Sequence, residues 1–273
     1  MCERCPSGAG ATHAPTPSVP TPGVPEELDP KTLTKGGDPL TVIPIWELAE
    51  KIATGSTENI LLYGPPGTGK TTLGHQVSAE LGLPLYVLNC TAETSAAEAR
   101  GHYINAGDRG FVWINGPAVS AMLDPGILLI NEIDHAGPDL QSFLHAICDA
   151  KDRAVLTLPD EVKTQVRPKK GFRVLATMNG EPDSLGEALA DRFSVKVRIG
   201  MVNPKAIEAL PEPLRPFVSK IKELTGKTNA SIRALFSFAE MEESIGVVPA
   251  AQAIFGAKWQ EFLVAYELAK KKE

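Results

Sequence analysis

From Pro39 onward the hydrophobic positions fall into regular groups. Trp46, Leu48, Ala49 and Ile52 recur at helical spacing and stop at Gly55, which predicts a short amphipathic helix. Compact apolar runs at Ile60 to Tyr63, Leu85 to Leu88, Ile127 to Ile130, Arg173 to Thr177 and Val195 to Ile199 read as strands. Helical patterns between them cover Lys70 to Leu81, Pro138 to Ala150 and Ser184 to Ala190. Several strands are apolar on consecutive residues rather than on alternate ones, as a parallel sheet covered on both faces requires. The expectation is an α/β fold, an αβα sandwich around a central parallel sheet, with ligands at the carboxyl ends of the strands.

Two stretches interrupt this alternation, Gly101 to Gly116 and Ala154 to Lys170, and both read as hairpins decorating the sheet. Beyond Pro204 the strand signal disappears. Ala206 to Ala269 is mostly helical, with periodic faces in Ser231 to Met241 and Trp259 to Leu268, which predicts a small all-α domain. At the other end, seven of the first thirty residues are proline, which disfavours helix and removes ladder donors. The expected organisation is a Pro-rich disordered tail over 1–37, an α/β domain over 38–203 and a helical domain over 204–273. No internal repeat is visible.

Composition narrows the function classes. The chain has 273 residues, 27 Lys plus Arg against 33 Asp plus Glu, and a net charge of −6, so it lacks a sequence-wide basic field for gripping nucleic acid. Aliphatic runs are far shorter than the ~18 residues a membrane helix needs. No basic segment followed by an apolar stretch opens the chain, so no secretory signal is expected and the protein reads as cytoplasmic. Four cysteines are too few for a disulfide scaffold and are expected as reduced thiols.

The strand ending at Tyr63 runs into Gly64, Pro65, Pro66, Gly67, Thr68, Gly69, Lys70 and Thr71, a complete G-x-x-x-x-G-K-[ST], followed by Thr72 in the predicted helix. Glycines there let backbone N–H groups converge on phosphate oxygens, and the helix start presents its partly positive end to the same anion. Lys70 would reach the β and γ phosphates, and Thr71 would ligate Mg²⁺. Downstream, Gly126 to Asp134 is an apolar strand that delivers Asn131, Glu132 and Asp134 at its carboxyl end, where Glu132 is the candidate to activate or orient an attacking water.

At these residues the sequence resembles the AAA+ ATPases, and more closely their dynein-related branch, which includes MoxR-like and CobS-like proteins. The resemblance covers about residues 38–245. It implies a P-loop NTPase fold with a helical lid, with ATP and Mg²⁺ as the bound groups. It implies a metal-side role for Asn131, which stands where these proteins typically carry Asp and replaces a charge with a neutral acceptor. Arg173 to Asn179 resembles the sensor 1 strand, with Asn179 toward the γ-phosphate or the water. Ala188 to Phe193 resembles the arginine-finger segment, in which Arg192 would enter a neighbouring subunit's site. Ser231 to Leu235 resembles sensor 2, with Arg233 toward the nucleotide. The two hairpins resemble the helix 2 insert and the pre-sensor 1 hairpin of this branch.

The resemblance therefore implies an ATP-hydrolysing ring, hexameric in the family, that remodels or matures a partner protein, with a von Willebrand factor A domain protein as a possible client. Two alternatives stand beside it: a nucleotide-gated assembly module with little turnover because of Asn131, and a nucleic-acid motor using the basic cluster Lys163, Arg167, Lys169 and Lys170. Cys2 and Cys5 have zinc-ligand spacing but lack two further ligands, and read as an exposed thiol pair. His75, His102, His135 and His145 share no metal-site spacing.

Overall fold

The computed structural model describes residues 34–35, 38–39, 44–149, 153–159, 163–221, 224 and 231–271. The Pro-rich segment predicted as a tail, with Cys2 and Cys5, lies outside these residues apart from Thr34–Lys35, which pairs antiparallel with Asp38–Pro39.

Five strands form one parallel sheet: β1 (Asn59–Tyr63), β2 (Leu85–Asn89), β3 (Ile127–Asn131), β4 (Arg173–Thr177) and β5 (Val195–Arg198), in the order β5-β1-β4-β3-β2. The helices are α1 (Ile45–Thr54), α2 (Lys70–Leu81), α3 (Ala96–Arg100), α4 (Pro117–Leu123), α5 (Pro138–Ile147), α6 (Glu187–Ala190), α7 (Pro204–Glu208), α8 (Arg233–Ile245), α9 (Val247–Phe255) and α10 (Trp259–Lys270). Successive strand residues enter different cores because side chains alternate across a sheet. Ile60, Leu62, Ile127, Leu129 and Leu175 pack with Trp46, Ala49, Leu73 and Val77 of α1 and α2. Leu61, Leu128, Ile130, Val174 and Ala176 pack on the other face with Val119, Met122, Leu140 and Leu144 of α4 and α5. Burial on both faces is why these strands read as unbroken apolar runs. The edge strand β2 is more open, with Val87 and Asn89 exposed.

Three details differ from the pattern reading. Strands β1, β2 and β3 each include an asparagine at one end, because apolar pattern marks burial whereas strand pairing uses the backbone. The helix expected from Ser184 to Ala190 is a 3-10 turn, Pro182–Leu185, and the single turn α6, divided at Gly186, whose φ of 78° leaves the helical region. The helix expected to Ala150 ends at Ile147, and Ala150 lies outside the described residues.

Both predicted hairpins are present as antiparallel pairs, Gly101–Asn105 with Phe111–Asn115 and Leu156–Thr157 with Gln165–Val166. The first is apolar on both faces: His102, Ile104, Val112 and Ile114 share one side, and Tyr103, Trp113 and Phe111 the other. Phe111 is 75% exposed. In the second, Lys163, Arg167, Lys169 and Lys170 are exposed.

Residues from Leu210 to Tyr266 build a separate core in which Phe238 is fully buried. Its ring meets Phe262 at 4.8 Å, Tyr266 at 5.1 Å and Phe255 at 5.8 Å between centroids. Removing it empties a space walled by three rings, so Phe238→Ala is expected to cost about 3–5 kcal/mol, read by urea unfolding of the full chain. Among the described residues no helix is long and apolar enough to cross a membrane.

Candidate functional site

The loop between β1 and α2 is shaped by two close approaches. Gly64 has φ 127°, and a β-carbon there would stand 2.5 Å from the Ile199 carbonyl oxygen just beyond β5. Gly67 has φ 76°, and a β-carbon there would overlap the Ser231 β-carbon at 2.1 Å. Only glycine meets both the backbone angle and the space. The second contact brings the start of the C-terminal helical segment directly onto the loop.

Lys70, at the first turn of α2, is buried, and its Nζ donates to the carbonyl oxygens of Gly64 at 2.8 Å and Pro65 at 2.7 Å and to Asn179 Oδ1 at 3.3 Å. Burial lowers its pKa, while the carboxylates of Asp134 and Glu132 pull it back up. The ammonium is thus held by neutral oxygens, in a loop whose backbone and helix dipole favour an anion.

The carboxyl ends of β2, β3 and β4 lie in one row, since Asn89 pairs with Asn131 and Ala176 with Ile130. This register places Thr177 beside Asn131 on the α2 face. Thr71 Oγ1 donates to Asn131 Oδ1 at 3.1 Å, and Thr177 Oγ1 donates to the same oxygen at 3.4 Å. Asn131 Nδ2 donates to Asn89 Oδ1 at 2.9 Å. The Glu132 N–H donates to Thr177 Oγ1 at 3.3 Å. Glu132 itself is exposed and has φ 54°, ψ 49°, a left-handed conformation that costs energy for a residue with a side chain. Its N–H bond to Thr177 and its carbonyl, which accepts from the His135 N–H at 2.8 Å, hold the backbone there.

These residues surround a cavity of about 490 Å³. Of those expected from sequence, Pro66, Gly67, Thr68, Gly69, Lys70, Thr71, Thr72, Glu132, Asn179 and Arg233 line it. Gly64 and Pro65 stand behind Lys70, and Asn131 behind Thr71. Arg233, at the start of α8, faces the loop from the helical side. Arg192 is elsewhere. Asn59 Nδ2, at the amino end of β1, donates to the Arg192 carbonyl at 3.3 Å and the Cys148 carbonyl at 2.7 Å. The Arg192 guanidinium donates to the carbonyls of His145 at 3.3 Å and Ala188 at 3.4 Å. The phosphate loop leaves the other end of β1, a strand about 13 Å long.

Sequence reasoning passed over several wall residues: Gln76, Thr177, Asn203 and Lys205, with Ala206, Ala209, Ile232 and Phe236 forming an apolar side. Asn203 had a signal, a polar residue directly before Pro204 at a helix start; it is buried, and its side chain caps α7 by accepting from the Lys205 N–H at 3.0 Å. The buried thiols of Cys90 and Cys148 are both pushed up to about 12, chiefly by burial, and are not nucleophiles at neutral pH. Among the described residues no three His, Cys, Asp or Glu side chains form a metal-holding group.

A five-stranded parallel sheet with this loop between its second strand in space and the following helix defines a P-loop nucleotide-binding protein. The AAA domain family, dynein-related subfamily, matches residues 59–193, and the chain belongs to it. An uncharacterized protein of Staphylococcus aureus is 31% identical over 222 residues, spanning 72% of this chain and 81% of its own. NorQ of Paracoccus denitrificans is 34% identical over 120 residues, 44% of this chain and 43% of NorQ. Among solved structures, the Holliday junction branch migration motor RuvB of Thermotoga maritima aligns with a TM-score of 0.45 at 18% identity, covering 76% of this chain and 65% of that one.

Proposed function

We propose that the protein binds ATP with Mg²⁺ and hydrolyses it at contacts between copies arranged in a ring, and that this drives the remodelling or maturation of a partner protein. The observation that carries the reading is the division of the site. Lys70, Thr71, Glu132, Asn179 and Arg233 gather on or beside one cavity, while Arg192 stands beside the amino end of β1, away from it, which supports a role toward a neighbouring copy. A head-to-tail contact of that kind closes into a ring, and six copies is the form the family resemblance implies.

The residues present suit both groups. The loop amides and Lys70 offer positive charge to phosphates, and the apolar wall of Ala206, Ala209, Ile232 and Phe236 suits a base. Thr71 and Asn131 converge two uncharged oxygens, the ligand type a hard divalent cation takes, and would hold Mg²⁺ between them. When bound, the ion supplies charge neutralisation at the phosphate oxygens. Glu132 would accept the proton of an attacking water, and Asn179, hydrogen-bonded to Lys70, would orient that water. Arg233 would tie the helical segment 204–273, acting as a lid, to the state of the body 38–203. The MoxR-like resemblance favours a client with a von Willebrand factor A domain.

A second reading rests on Asn131. Its neutral amide attracts a cation less than a carboxylate does, which favours a module whose assembly is gated by nucleotide with little turnover. Phosphate release from ATP with Mg²⁺, measured across protein concentration, separates the two. Turnover that rises cooperatively with concentration supports the ring ATPase, and binding without turnover supports the gated module.

A further inference from the structure

Replacing an aspartate by an asparagine at position 131 creates an orientation problem. A carboxylate presents two equivalent acceptors, whereas an amide has one acceptor end and one donor end, and only its oxygen can face a cation. We infer that Asn89 is a positioning residue that fixes the Asn131 amide with its oxygen toward Thr71, so that the asparagine pair does the work of a single metal-side aspartate. This rests on the Mg²⁺ reading above.

Three contacts set the polarity. Asn89 Oδ1 is an acceptor 2.9 Å from Asn131 Nδ2 and takes up its donor end. Thr71 and Thr177 hydroxyls both donate to Asn131 Oδ1. Thr177 Oγ1 also accepts the Glu132 N–H, and its single hydroxyl proton is directed to Asn131 Oδ1. With Asn89 oriented as it stands, turning the Asn131 amide over would face Asn131 Oδ1 with Asn89 Oδ1, two acceptors with no proton between them, and would aim an NH₂ group at Thr71. The backbone of Asn89 is held opposite Asn131 by the strand register, and its main-chain carbonyl accepts from Thr94 Oγ1 at 3.2 Å. With a carboxylate at position 131 the amide end of Asn89 would serve equally well, and nothing would depend on its orientation.

The test is binding of a fluorescent ATP analogue to the full chain, titrated with Mg²⁺ from an EDTA baseline. Asn89→Leu is expected to raise the half-saturating Mg²⁺ about tenfold, the usual cost of losing a partner that orients a ligand, with EDTA-state affinity unchanged. Asn89→Asp, which keeps an acceptor for Asn131 Nδ2, should restore the Mg²⁺ response. In the Asn131→Asp background, Asn89→Leu should have no further effect. An equal loss in both backgrounds, or no change in Mg²⁺ response on Asn89→Leu, overturns the inference. Analogue binding by the unmodified protein that ignores Mg²⁺ overturns the metal reading itself, and this inference with it.

Discussion

Glu132→Gln should bind ATP as the unmodified protein does and lose turnover by about 10²–10⁴, the usual contribution of a positioned general base. The side chain keeps its length, so the left-handed turn at Glu132 and its N–H bond to Thr177 are undisturbed. Only the capacity to take a proton goes. Lys70→Ala should behave differently, because it deletes the cation that carbonyls of Gly64 and Pro65 hold beside the cavity. A charge-assisted contact is worth about 1.5–3 kcal/mol, so nucleotide affinity should drop by about 10–100-fold, with turnover falling alongside. Filter binding and phosphate release on the two variants separate these outcomes. Equal turnover in Glu132→Gln and the unmodified protein would remove Glu132 from the chemistry.

Arg192→Ala should reduce turnover by about 10³–10⁵ while leaving nucleotide affinity intact, the size of effect an arginine supplied by a neighbour produces. Its guanidinium rests on the carboxyl end of α5, and its backbone is tethered through Asn59 to the strand end remote from the phosphate loop. The decisive arrangement is a mixture. Arg192→Ala subunits keep an intact cavity, and Lys70→Ala subunits keep an intact arginine, so mixing the two inactive proteins should recover activity that neither has alone. A mixture that stays as inactive as its parts would show that Arg192 does not act between copies.

The phosphate loop was legible in sequence because its conformation is dictated by residue type: glycines at positive φ leave little freedom, and the flanking strand and helix follow from apolar pattern. The sheet was legible because strands covered on both faces must be apolar at consecutive positions. The polar row Asn89, Asn131 and Thr177 was not, since it exists only through strand register, and no local pattern reports which residues of distant strands lie side by side. Register also explains why Asn131 was seen as a departure while its partner was missed. The first hairpin was read correctly as a hairpin, but its two apolar faces emerge only once Tyr103 is opposite Trp113 and Ile104 opposite Val112.

The strand order also governs when the protein can come into being. Strand β1, which ends in the phosphate loop, has no partner among the residues made just before or just after it: it lies between β4 and β5, with Ile60 opposite Leu175 on one side and Val195 on the other. Closing such a distant pairing is slow, because the entropy of the intervening chain is lost before any contact compensates for it. On the ribosome, the loop sequence therefore emerges long before its cradle can exist. A nascent chain that stops short of Ile199 carries the whole loop motif while the β5 edge of β1 is still unpaired, an open strand edge of the kind chaperones shield, until synthesis has moved past β5.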